Sequence, residues 1–223
     1  MIRNFLFPIF LGIFGVTVLV SLGVWQLQRL EWKEEILFSI NQTLKSGPEA
    51  LPQFPKKASD QYLSVTANGE FLQGEVHVLT SMKFKGPGFR VIAPFQTLQG
   101  EVILVDRGFI KEVEKSYTRP LGKIEIVGNL LWPSETDYFT PDPDFESNIW
   151  FARNLEAMAE ELNTAQVLMV LRETSMIGAP EPQPVGVDIP NNHYVYALTW
   201  FSMALVWFGM TLYFLWRIKN RSV

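Results

Sequence analysis

Cysteine is absent from the 223 residues, and histidine occurs only at positions 77 and 193. The first absence excludes disulfides, thiolate zinc sites, iron–sulfur clusters, a cysteine nucleophile and covalent attachment of haem. The second excludes a three-histidine metal site, while mixed histidine–carboxylate sites stay open. Charge is scarce as well. Asp, Glu, Lys and Arg make up 19% of the chain, against about 25% in an ordinary globular protein. Nineteen Lys and Arg against 23 Asp and Glu leave a net charge of −4, which disfavours a nucleic-acid partner. With 48% hydrophobic residues, the chain is too apolar for an acidic disordered tail. No G-x-S-x-G, P-loop, H-E-x-x-H or G-x-G-x-x-G sequence occurs, so nothing positive points to an enzyme.

The missing charge is not spread evenly. Residues 4–28 carry none, and neither do residues 189–216. Each run exceeds the ~20 apolar residues that cross a bilayer. Transmembrane helices are therefore expected over about 5–24 and 194–215, with the lipid bilayer as a partner. Arg217, Lys219 and Arg221 follow the second run, and no basic residue closely precedes it. The excess of basic residues on the cytoplasmic side puts the C-terminus inside. Two spans then put the N-terminus inside and the segment between them outside. That outer segment, residues 29–188, holds 15 Lys and Arg and all 23 acids, a net charge of −8. Small residues at 18–23 would suit signal cleavage, but the apolar run is long for a signal peptide, so an uncleaved anchor is expected. No Arg-rich, Ser-rich presequence comes first. A bacterial plasma membrane is therefore the expected location, with the mitochondrial inner membrane as the alternative. The expected divisions are a first transmembrane helix at 1–28, an outer domain at 29–190, a second transmembrane helix at 191–216 and a basic cytoplasmic tail at 217–223.

Apolar residues at 27, 30, 36, 37, 40 and 44 approximate helical spacing, so the first helix is expected to run beyond the membrane until Ser46-Gly47-Pro48 stops it. Residues 49–60, with Pro52 and Pro55, read as a loop. Strand patterns follow at 62–71, 75–81, 89–97, 101–110, 124–131 and 166–171. Pro94 suggests an edge or a bulge, and Leu98-Gln99-Gly100 suggests a hairpin turn. Residues 154–163 place Leu155, Met158, Ala159 and Leu162 on one helical face. Residues 178–190, with four prolines, return the chain to the membrane. The fold class expected is an α+β membrane protein. Two transmembrane helices flank one extracytoplasmic, antiparallel β-rich domain, a sheet or partly open barrel with a short helix.

His193 opens the second apolar run. An ionisable group in a membrane span is a functional candidate, and imidazole ligates haem iron. An interfacial histidine can equally be a solvated end residue. Ala197, Trp200 and Ala204 share its face at helical spacing. On the first helix, Gly12, Gly15, Leu19, Leu22 and Gly23 form a small-residue stripe suited to close packing. It leads to Trp25 and Gln26, which read either as membrane-surface anchors or as part of a cleft with residues 191–194. His77 is expected on the surface or rim of a strand. Arg90 and Arg107 either recognise a carboxylate or propionate, pair with an acid such as Asp106, or stay solvated. Asp142 and Asp144 read as a solvated turn rather than a calcium loop.

Several stretches together resemble the surfeit locus protein 1 family of cytochrome c oxidase assembly factors. Leu22-Gly23-Val24-Trp25-Gln26-Leu27-Gln28-Arg29 with Trp32-Lys33 is similar to the family's first-helix motif. Asn191-Asn192-His193-Tyr194-Val195-Tyr196-Ala197-Leu198-Thr199-Trp200-Phe201 is similar to its last. Between them, in family order, come Gly69-Glu70-Phe71, the stretch Gly88-Phe89-Arg90-Val91-Ile92-Ala93-Pro94-Phe95, then Val105-Asp106-Arg107-Gly108-Phe109-Ile110 and Gly128-Asn129-Leu130. Asp106 and Phe109 depart from the Asn and Trp of the family pattern. The resemblance implies two membrane helices around an outer domain. It also implies an assembly factor that takes haem a from haem a synthase and helps insert it into the oxidase catalytic subunit. His193 would ligate the haem iron, Trp25, Gln26, Tyr194 and Trp200 would shape the cleft, and Arg29 and Arg107 would meet propionates. A membrane scaffold that stabilises an assembly intermediate without binding haem is the alternative.

Overall fold

The computed structural model describes residues 3–186 and 191–221. Asp188, the Ile189-Pro190 approach to the second helix and the last two residues of the tail lie outside the described residues. Two compact units emerge, one of the helical residues up to Ser39 together with the C-terminal helix, the other of residues 40–186.

The first unit is a helix pair. Helix α1 (Arg3–Lys45) spans 43 residues, about 64 Å at 1.5 Å per residue. A hydrocarbon core is only about 30 Å thick, so the charged part beginning at Arg29 continues the same helix beyond it. The C-terminal helix, α4, is His193–Arg221. Both are long and apolar enough to cross a membrane, and their apolar side chains are exposed rather than packed in a core. That exposure separates them from the core helices of a water-soluble fold and makes the chain a two-span membrane protein. The helices pack where side chains are smallest. Gly12 lies against Thr211, Gly15 against the Trp207 indole and Gly23 against the Phe201 ring. Ala197 and Ala204 of α4 are buried. The pairing order is antiparallel, and the glycines let the backbones approach.

The second unit is built from β1 (Glu49–Ala50), α2 (Lys57–Asp60), β2 (Ser64–Phe71), β3 (Val76–Met82), β4 (Gly86–Thr97), β5 (Val102–Lys111), β6 (Gly122–Leu131), α3 (Leu155–Glu161) and β7 (Leu168–Leu171). The sheet order is β1-β2-β6-β7-β5-β4-β3, and a β2–β4 pairing closes β2, β6, β7, β5 and β4 into a ring. Five strands cannot alternate direction all the way round a closed ring. One neighbouring pair has to be parallel, and it is β5–β7. The other ring pairs are antiparallel. The antiparallel expectation therefore meets its exception at the strand brought in last, by the long connection through α3. A second parallel pair, β1–β2, lies outside the ring.

Pro94 sits inside β4, not on an edge strand. Its lack of an N–H costs nothing there. β4 pairs with β3 through Ile92 and with β2 from Phe95, so Pro94 falls where one neighbour gives way to the other. A bulge in the β4–β5 ladder lies just before it, between Val91 and Ile92. The predicted hairpin turn is present, with Gly100 at φ +88°, a conformation that favours glycine. Val65, Phe71, Phe95, Ile103, Val105 and Met169 help fill the barrel. The opposite faces of β5 and β7 present Leu104 and Leu168 to Trp150 and to Met158 of α3. Asn154 caps α3, its Oδ1 accepting from Ala157 N–H at 3.2 Å. The short β1 and α2, within the segment read as a loop, carry too few residues for a periodic signal.

Candidate functional site

In the helix pair, His193 begins α4, and its Nδ1 lies 2.7 Å from Gln26 Oε1 of α1. Both side chains are half-buried. With the amide oxygen as acceptor, Nδ1 carries the proton and Nε2 keeps its lone pair. The hydrogen bond also fixes the ring plane, as outer-shell partners do for metal-ligating histidines. Ala197 and Ala204 continue the same face as buried residues and Trp200 as a half-buried one. The structure thus brings together two of the predicted residues, His193 and Gln26. Trp25 and Tyr194 are exposed. Arg29 is exposed too, with its guanidinium 4.6 Å from the Trp32 ring centroid. No cluster of three or more His, Asp or Glu able to hold a bare metal ion occurs among the described residues.

Arg107 belongs to the barrel, where it is 2% exposed. Its guanidinium lies 4.1 Å from the Phe71 ring centroid and donates to Pro120 O at 2.8 Å. Burial lowers its pKa from the ordinary guanidinium range to about 10, with Glu75 opposing that shift and Arg119 adding to it.

Its neighbour Asp106 points to the other face and is fully buried. It is ion-paired to Arg90 and lies 3.5 Å from Arg153 Nη1, and it accepts from Gly108 N–H at 3.1 Å. Arg153 turns its remaining nitrogens to Glu135, which also accepts from the Arg153 backbone N–H. Burial alone would raise the Glu135 pKa, but the Arg153 hydrogen bonds and charge outweigh it and hold it below 4.5. Burial would lower the Arg153 pKa, and Glu135 and Asp106 together raise it instead. Of the alternatives, Arg90 adopts pairing with an acid, whereas Arg107 is neither solvated nor within ion-pair distance of an acid among the described residues. Nothing in the local sequence pattern marks Glu135 and Arg153 as members, because Arg153 reaches Asp106, and Glu135 reaches Arg153, from the long connection between β6 and β7.

His77 departs from expectation, being buried rather than at a surface or rim. Residues 148–150 cover its strand edge. Asn148 Oδ1 accepts from His77 N–H at 3.3 Å, and Trp150 N–H donates to His77 O at 2.9 Å. Asp144 is in a turn as read, its Oδ1 accepting from Ser147 N–H at 3.0 Å, and hydrogen bonds to Ser147 hold its pKa below 3.8.

A sequence model of the SURF1 family matches residues 13–205. A SURF1-like protein of Rickettsia conorii is 28% identical over 208 residues, covering 88% of this chain and 86% of that protein. One from Monosiga brevicollis is 30% identical over 209 residues, covering 84% and 79%. Surfeit locus protein 1 of Gallus gallus is 28% identical over 206 residues, covering 82% and 67%.

Proposed function

The chain belongs to the SURF1 family, and from that membership we propose that it is an assembly factor for haem–copper cytochrome c oxidase. In this reading it holds haem a as cargo at His193 and helps insert it into the catalytic subunit, with haem a synthase as the donor. Its membrane is the bacterial plasma membrane, the mitochondrial inner membrane being the alternative. It is a carrier, not an enzyme, since delivery of intact haem breaks no bond in the cargo.

The observation that carries the proposal is the 2.7 Å contact between His193 Nδ1 and Gln26 Oε1. With Nδ1 donating to that oxygen, Nε2 keeps the lone pair that would ligate iron, and the contact orients the ring. Imidazole is a competent axial ligand for haem iron. A single protein imidazole suits a site that must release its cargo to a better-ligated one. Gln26 acts by positioning the ring, and Trp200 offers an aromatic surface on the same helix face.

The same contact also supports a scaffold reading. A Gln–His hydrogen bond between two membrane helices is a packing device in its own right, worth about 1 kcal/mol. The two readings separate in an absorption spectrum. Full-length protein is purified after coexpression with haem a synthesis enzymes, beside His193→Ala. A haem a band in the wild type that is lost or shifted in the variant is expected. Colourless protein in both cases, with oxidase assembly still dependent on the chain, would establish the scaffold instead.

A further inference from the structure

One end of the barrel holds an excess of buried positive charge, and it includes Arg107, for which the resemblance implied a propionate. Arg107 is 2% exposed, and no carboxylate lies within ion-pair distance of it among the described residues. Glu75, which acts on it through space, is already shared. Its Oε1 lies 2.7 Å from His77 Nε2 and 3.6 Å from Arg119 Nε. Two guanidiniums against one carboxylate leave an excess of positive charge, inside a segment whose net charge is −8. Burying such an excess is costly without a counter-charge. Two buried side-chain atoms of this one cluster, His77 Nδ1 and Arg119 Nε, have no hydrogen-bond partner.

Arg119, itself only 8% exposed, also lines a cavity of about 510 Å³. Lys85, Lys111 and Tyr117 stand around it, and Phe109 and Ile110 supply apolar wall. Lys85 is tied to Glu181. Glu114 turns its carboxylate to the Lys111 backbone N–H at 2.8 Å, and no acid pairs with the Lys111 ammonium among the described residues. The cavity lining thus includes an ammonium and a guanidinium, the latter also donating to Glu114 O and Lys115 O, together with aromatic and aliphatic residues. Phe84, 96% exposed, stands at its edge.

We propose that this cavity is a binding site for a carboxylate carried on an apolar or aromatic body. Arg119 and Lys111 take the anion, and Phe109 and Tyr117 take the body. Three cationic side chains, Lys85, Lys111 and Arg119, line the cavity against the carboxylates of Glu114 and Glu181, a small excess that matches a monoanion better than a dianionic phosphate. The carboxylate comes either from a free organic acid or from an acidic residue flanked by apolar ones in a partner polypeptide.

The test uses the full-length protein in lipid nanodiscs, titrated by calorimetry. The probes are 3-phenylpropionate, the uncharged 3-phenylpropanol, inorganic phosphate and N-acetyl-Phe-Glu-Phe-amide. Saturable binding of a carboxylate probe is expected, weakening as salt rises. Arg119→Gln should weaken it about tenfold, as loss of a charged hydrogen bond does, and Lys111→Gln about threefold. Binding of phenylpropionate assigns a free acid as the source, and binding of the peptide alone assigns a partner chain. Arg119 also donates to Glu114 O at 2.6 Å. If Arg119→Gln fails to fold, the exposed Lys111→Gln decides. The proposal is overturned if neither carboxylate binds, if the alcohol or phosphate binds as well as the acids, or if Lys111→Gln leaves affinity and salt dependence unchanged.

Discussion

Asp106 has no exposed side-chain surface, yet it meets Arg90, Arg153 and the Gly108 amide at once. Removing its charge would leave two largely buried guanidiniums facing a neutral amide. Breaking a buried pair from one side costs about 3–5 kcal/mol, so Asp106→Asn should lower the melting temperature of the full-length protein by about 10 °C. A shift under ~2 °C would show that the network is not structural. Glu135 gives the same network a pH dependence. Its pKa is depressed in the folded state, so the stability it contributes is present above its unfolded value near 4.5 and is lost as pH falls through the lower folded value. Thermal stability should therefore decline as pH falls below 4.5, and Glu135→Gln should flatten that decline. An identical acid limb in the variant would remove Glu135 from the account.

At the scale of elements, the helix pair depends on a few absent side chains. A Cβ at Gly23 would stand 2.6 Å from a Phe201 ring carbon, closer than any packing allows. Gly23→Leu should push α1 and α4 apart, at an overpacking cost of about 1–3 kcal/mol. The readout is the SDS midpoint for separating the helices, followed by fluorescence transfer between labels on introduced cysteines. The natural chain has no cysteine to interfere. An unchanged midpoint would mean that the glycines are not the contact. In the barrel, the corresponding close approach is Gly108, at φ +116°. Glu181 exchanges both backbone hydrogen bonds with Phe109 there, at 2.7 and 2.9 Å, and a Cβ on Gly108 would run into the Glu181 carbonyl. The proline-rich return segment is thereby fastened to β5.

For the whole molecule, the charge distribution predicts sidedness. Arg217, Lys219 and Arg221 close the chain, while every acid lies between the two apolar runs. A C-terminal fluorescent protein that matures only in the cytoplasm should fluoresce. Alkaline phosphatase inserted after Gly100, at the exposed β4–β5 turn, should be active only if that turn is outside. The reverse pattern would invert the topology. Two apolar runs, six of the seven strands, the helix near 155 and the family motifs were all readable along the chain. Each rests on composition or on a period of two or 3.6 residues, which a linear pattern carries by itself. What was not readable depends on partners far apart in sequence. The parallel β5–β7 pair follows from closing an odd ring, and the burial of His77 from a loop about 70 residues away that covers its strand. The Gln26–His193 contact joins residues 167 positions apart. Each side chain alone reads equally well as a membrane-surface residue, and packing of the two helices is what makes them a pair. Sequence determined which segments enter the membrane and which become strands, because hydrophobicity and pleat act residue by residue. Only tertiary structure decided which imidazole nitrogen meets Gln26 and that Arg107 is buried, with no acid within ion-pair distance among the described residues, because those depend on what lies across the space between elements.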